Sequence, residues 1–267
     1  MGFLAGLTCC LIFFSFTNFN PLLYLERTFA KPLYQIRKLV NFPTIQPKDT
    51  YTIVLVGDSM TDYLGSSVEI KSNLKKYYPN KQIEIHNFSV GSTNILTLPE
   101  RLQNLTNFNG KISDPILNTN FDLIIIESFG HNPLSEDTLD EGLRKHNQTL
   151  DQAIVAIKQR QPWARVVLMA TIAPHHGRYA EGLMVLTTEE RKKWAKERAA
   201  YIKNHIDYAK KHKLPLIDIY SKSLDENGGG HIDYIETADF VHPSPTGIHF
   251  ISKEIAEFIF KKRVLPL

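Results

Sequence analysis

Charge is missing from the first 25 residues, where no Asp, Glu, Lys or Arg occurs before Glu26. Cysteine is missing from everything after residue 10, because Cys9 and Cys10 are the only two. The rest of the chain therefore has no disulfide, no thiolate metal ligand and no thiol nucleophile. A large excess of one charge is also lacking. A net charge of +3, with no basic patch interleaved with aromatics, excludes nucleic acid as an expected partner. Internal repeats are absent, and the one low-complexity tract is Gly228-Gly229-Gly230.

What is present is ordinary for a globular protein: 43% apolar and 22% charged residues over 267 positions. That length suits one large α/β domain with a substantial core. Phe3 to Phe16 is strongly apolar, and extension through Leu25 reaches the ~20 residues a bilayer requires. No basic residue precedes the run and no small-residue cut site is clear. Residues 1–25 are expected to form a membrane anchor or signal segment, 26–50 a linker marked by Pro32, Pro43 and Pro47, and 51–267 the folded domain.

Within the domain, apolar runs alternate with helical patterns. Ile53 to Val56 stops at Gly57-Asp58-Ser59, and Gln82 to Val90 stops at Gly91. Phe121 to Ser128 stops at Gly130-His131-Asn132, Arg165 to Ala170 opens a long connection, and Leu214 to Tyr220 is a fifth run. Uninterrupted β-branched runs are how strands buried on both faces read. Helices are expected over 66–78, from Asn94 to about Leu105, after a Thr138/Glu141 capping box with Leu139 facing inward, over about 188–212, and after the Ser244 cap with Pro245 in the first turn. The segment 224–239 is expected to be a flexible loop. Five strands alternating with helices predict a mostly parallel sheet in a three-layer α/β/α sandwich. Ser59, Gly91 and Asn132 then lie at the carboxyl ends of different strands, on one rim with His242, where open α/β sheets bind ligands.

Acyl transfer needs a nucleophile, a base, a group that orients the base, and donors for the oxyanion. Ser59 has the position of a nucleophile, although Ser after Gly-Asp also suits a helix cap. His242 can act as base, with Asp239 three residues earlier able to reach its far ring nitrogen. Asn132 can offer a side-chain amide and Gly91 an unobstructed N–H, although both are also common turn residues. Asp58 and Gly57 are assigned only to the turn.

Taken together, Gly57-Asp58-Ser59-Met60, Gly91, Gly130-His131-Asn132 and Asp239-Phe240-Val241-His242-Pro243 resemble the four blocks of the SGNH (GDSL) hydrolase family. The resemblance covers about four fifths of the chain, from Tyr51 on. It implies a flavodoxin-like sandwich and a serine esterase or acyl-hydrolase without a cofactor. Carried over, Ser59 is the nucleophile and first oxyanion donor, Gly91 and Asn132 are the further donors, His242 is the base and Asp239 orients it. His131 is expected at the pocket mouth. Met60 replaces the leucine of the family name, and Pro133 stands where an acidic residue is common. Gly57-x-Ser59-x-Thr61 lacks the second glycine of a lipase-type nucleophile elbow, which counts against the ordinary α/β-hydrolase fold.

The expected substrate is a short-chain, acetyl-type ester on a small molecule or glycan. An O-acyltransferase or a silent glycan-binding domain on the same fold are the alternatives. Arg27, Lys31, Arg37 and Lys38 after the apolar segment would place the domain in the cytoplasm by the positive-inside rule. Tethering a hydrolase favours the extracytoplasmic side, which is the expected location. His175, His176, His231 and Asp233 lack metal-site spacing, and no metal is expected.

Overall fold

The computed structural model describes residues 45–267. The expected anchor over 1–25 and residues 26–44 of the expected 26–50 linker lie outside the described residues. Among the described residues no helix is long and apolar enough to cross a membrane.

The chain forms β1 (Thr50–Val56), α1 (Ser59–Asp62), α2 (Val68–Tyr77), β2 (Gln82–Asn87) and α3 (Leu98–Gln103). A two-stranded hairpin follows, β3 (Thr106–Phe108) and β4 (Lys111–Ser113). Next come β5 (Leu123–Glu127), α4 (Leu139–Arg160), β6 (Arg165–Ala170), α5 (Thr188–His212), β7 (Leu216–Asp218), α6 (Ile219–Lys222) and α7 (Pro245–Lys261). Five strands make one parallel sheet in the order β2-β1-β5-β6-β7.

Successive residues of β1 feed opposite cores, as the period of two requires. Ile53 and Leu55 pack with Ile70 and Leu74 of α2 and Ile251 and Ile255 of α7. Val54 and Val56 pack with Leu98 and Leu102 of α3 and Leu150 and Ile154 of α4. All four β1 residues are fully buried, so the strand tolerates no charge, which is why it reads as a continuous apolar run. The result is the expected three-layer α/β/α sandwich.

The chain leaves β1 for β2 on one side and then crosses to β5 on the other side of β1. Strand order thus reverses at β1, and the carboxyl ends of β1 and β5 are the place where open α/β sheets bind ligands. Ser59, Gly91 and Asn132 follow β1, β2 and β5 respectively.

Several boundaries differ from expectation. The fifth strand pairs only through Leu216–Asp218, because Asp218 caps α6, its Oδ1 accepting from Ser221 N at 3.0 Å. Regular strand β2 ends at Asn87 rather than Val90, although Phe88 N and Val90 N still donate to Leu55 O at 2.9 Å and Gly57 O at 3.2 Å. Thr138 accepts from Glu141 N at 3.4 Å without a reciprocal bond, and Leu139 beside it is 46% exposed rather than inward. The reciprocal capping box is formed by Thr187 and Glu190 at the start of α5. The 224–239 segment is tied by bridges Leu224–Gly230 and Ile235–Pro243 and by a 3-10 turn over Ile232–Tyr234. Ser244 caps α7 as expected, accepting from Gly247 N at 3.0 Å.

Candidate active site

Where β1 ends, Gly57 passes so close to β5 that a Cβ on it would sit 2.7 Å from Glu127 Cβ and 2.8 Å from Thr61 Oγ1. Close packing therefore demands this glycine. Asp58 is fully buried and caps α1, its Oδ1 accepting from Met60 N at 2.9 Å. That bond makes Ser59 the first residue of the helix, where its own N–H has no helical acceptor.

Gly91 lies directly beside Ser59, since a Cβ built on it would be 3.7 Å from Ser59 Cβ. Neither the Ser59 nor the Gly91 N–H donates to a backbone acceptor among the described residues. Asn132 donates its side-chain Nδ2 to Asp58 Oδ2 at 3.0 Å, which orients the amide and leaves its second N–H available. Its backbone N–H bonds Phe129 O at 3.2 Å across a turn in which Phe129 has φ of 51°. Three separate strand ends thus bring Ser59, Gly91 and Asn132 together, Gly91 directly against Ser59 and Asn132 through Asp58.

His242 and Asp239 form the second half of the site. Asp239 Oδ2 lies 2.7 Å from His242 Nδ1, and its Oδ1 accepts the N–H groups of Val241 and His242 at 2.8 and 3.0 Å. Phe240 between them takes a φ of 54°, which turns the chain back so that one carboxylate serves all three donors. Burial alone would raise the Asp239 carboxyl, but these hydrogen bonds outweigh it and hold the group below its ordinary value. A carboxylate on Nδ1 leaves Nε2 as the free, basic nitrogen. The imidazole stacks on Tyr63, ring centroids 4.1 Å apart and planes within 2°. Tyr63 N in turn donates to Ser59 O at 3.0 Å, one helical turn away. His242 therefore rests on the short helix that begins with Ser59.

A family model for the GDSL-like lipase/acylhydrolase family matches residues 55–249, nearly three quarters of the chain. The chain belongs to this family. It is accordingly an esterase/acylhydrolase, and its fold is shared by solved structures of low identity. A GDSL-like lipase from Bacteroides thetaiotaomicron VPI-5482 superposes with a TM-score of 0.53 at 15% identity, over 88% of this chain and 99% of that one. The acetyl xylan esterase AlAXEase gives 0.54 at 17%, over 76% and 97%. Axe2, an acetylxylan esterase from Geobacillus stearothermophilus, gives 0.51 at 14%, over 78% and 94%. No curated protein matches the chain.

In this GDSL-like hydrolase several supporting residues escaped the sequence reading. Arg101 of α3, only 2% exposed, donates to Gly57 O at 3.2 Å, to Thr93 Oγ1 at 3.3 Å and to Phe88 O, tying the β1 and β2 ends together. Burial lowers its pKa to about 10, with Asp58 and Asp62 opposing the shift, so it stays charged at neutral pH. Glu127 is fully buried under the same turn, accepting from Asp58 N at 3.3 Å and Ser128 Oγ at 2.5 Å. Burial, and then the Asp58 charge, hold its carboxyl well above the ordinary range. Asn109 of the hairpin donates to Gly91 O at 2.7 Å, and Lys111 bonds Ser89 O at 2.6 Å and Asp62 Oδ1 at 2.9 Å. The hairpin thereby braces the loop that carries Gly91.

His131 is not at the pocket mouth. It is buried, with Nδ1 3.1 Å from Tyr179 Oη and Nε2 3.2 Å from Ile172 O. Burial lowers its pKa to about 4, so it packs as a neutral ring. Asp58, expected only to form the turn, is a hub that caps α1 and aims Asn132. His175 is occupied by the N–H groups of Gly177 and Arg178 at 3.2 and 3.1 Å. Among the described residues no group of three or more His, Cys, Asp or Glu is placed to hold a metal ion.

Proposed function

We propose that this hydrolase removes a short, acetyl-type acyl group from a carbohydrate ester through a Ser59–His242–Asp239 triad. The observation that carries this reading is the placement of the Asp239-oriented imidazole against the helix that Ser59 begins.

His242 Nε2 takes the proton as Ser59 Oγ attacks the acyl carbonyl, and Asp239 stabilises the imidazolium that forms. The developing oxyanion accepts from Ser59 N, Gly91 N and Asn132 Nδ2, donors that need no reorganisation during the reaction. Collapse breaks the ester bond, His242 protonates the departing alcohol, and water then releases the acid from Ser59 by the same steps in reverse order. The acetyl preference is consistent with the two acetylxylan esterases that share the fold. The apolar N-terminal segment would tether the domain to a membrane on its extracytoplasmic side.

Replacement of Ser59 by alanine is expected to abolish turnover of a chromogenic acetyl ester while leaving the circular dichroism spectrum unchanged. Activity retained in that variant would contradict the triad. A panel of acetylated glycans, with products analysed by mass spectrometry, reads both the natural ester and the acceptor, water or a sugar hydroxyl.

A further inference from the structure

Tyr63 occupies a position that neither the turn nor the helix requires. It closes α1 at its C-terminal end, and the residue is 47% exposed. An exposed tyrosine ordinarily turns its ring along the surface; this one lies flat on an imidazole that is itself only 16% exposed. The Asp239 carboxylate engages the edge of that ring at Nδ1, whereas Tyr63 covers one of its faces. The negative face of an aromatic ring favours a cation over a neutral partner. The stack therefore gains strength when His242 becomes imidazolium, the state reached as Ser59 attacks.

We infer that Tyr63 is a positioning residue for the reaction: its ring holds the His242 imidazole in plane and stabilises its protonated form. This rests on the reading of His242 as the base. The same helix carries the attacking serine at one end and this ring at the other, so the ring that supports the base is fixed one turn from the serine. The charged and titratable groups that act on the pair are Asp239 and Glu236 on the histidine's own loop, Asp62 on the α1 side, and His131 after β5. Burial first, and then the charges of Asp239, Glu236 and Asp62, raise the Tyr63 hydroxyl above its ordinary value and disfavour its phenolate. The ring thus stays neutral across the working range and acts through its π face, not through a charge.

The test is the pH profile of kcat/KM on a small acetyl ester, measured on the full chain for wild type, Tyr63→Phe, Tyr63→Leu and Tyr63→Ala. Tyr63→Phe keeps the ring and is expected to keep the profile. Tyr63→Ala and Tyr63→Leu remove the π face and are expected to lower the acid-limb pKa by about half a unit and kcat/KM by roughly threefold to tenfold, with KM little changed. The leucine variant still covers the imidazole, so a wild-type profile there would overturn a role for the π face. A phenylalanine variant as impaired as alanine would assign the effect to the hydroxyl and equally overturn the proposal. His242→Ala serves as the control: activity retained in it would sink the base assignment itself, whereas an inactive His242→Ala beside an unaffected Tyr63→Ala would sink only this inference.

Discussion

Asn132 donates its side-chain amide to Asp58 across 3.0 Å, although the two residues are 74 positions apart in sequence. Asp58 is simultaneously the cap that places Ser59 at the head of α1. One buried carboxylate thus sets the orientation of the proposed nucleophile and of a proposed oxyanion donor. A hydrogen bond to a charged group is worth about 1.5–3 kcal/mol.

Asp58→Asn keeps a capping oxygen but loses the charge that holds Asn132. It is expected to lower kcat by about 10- to 100-fold with little change in KM. Asn132→Ala should fall in the same range, and the double variant should lose less than the sum, because both act on one donor. Steady-state kinetics on the four proteins check this. Fully additive losses would separate the two residues.

Gly57→Ala tests the packing under the turn. The added methyl would meet Glu127 Cβ at 2.7 Å and Thr61 Oγ1 at 2.8 Å, and Glu127 lies in the central strand β5, which cannot retreat. Overpacking of this kind costs about 1–3 kcal/mol. Urea unfolding should show a midpoint lowered accordingly with the slope unchanged. An unaltered midpoint would mean that the β1–β5 contact is looser than described.

His146 of α4 and His205 of α5 meet in the interior, Nε2 to Nδ1 at 3.4 Å, with both residues fully buried. Burial lowers His205 to about 4 and His146 well below its ordinary value, the latter assisted by His205. In the unfolded chain both rings titrate near 6.5. Below that pH the unfolded state binds protons that the folded state refuses, so stability is full above about 6.5 and falls as pH drops toward 4. Each ring contributes a slope of about 1.4 kcal/mol per pH unit in that window. His146→Asn, which cannot titrate, should reduce the slope of unfolding free energy between pH 6.5 and 4 by about that amount. An unchanged slope would contradict the burial of the pair.

Much of the architecture was legible because the sheet is buried on both faces. Ile53 to Val56 and Leu123 to Ile126 cannot carry charge, so they appear as apolar runs and their ends mark the rim. The four sequence blocks were legible for the same reason, since each sits directly after a strand or before the final helix.

What was missed depends on contacts distant in sequence. Arg101 and Asp58 become meaningful only when α3, β1 and β5 converge, and no local spacing reveals that. His131 sits in a polar block, but its surroundings, Tyr179 and Ile172, come from a later connection. The β3–β4 hairpin is a different case. Asn109-Gly110, both at positive φ, is the strongest short-range signal for a two-residue hairpin turn, and it was available in the sequence. The flanking strands have only three residues each and little alternation, so the periodic pattern that draws attention to a strand was absent.

The central claim is that Ser59 is the nucleophile activated by His242. Labelling of the native, full-length chain with a fluorophosphonate, followed by peptide mass spectrometry, tests it most directly. The account predicts a single covalent adduct on Ser59 that forms in wild type and is lost in both Ser59→Ala and His242→Ala. An adduct on another residue, or undiminished labelling of the Ser59→Ala protein, would contradict it.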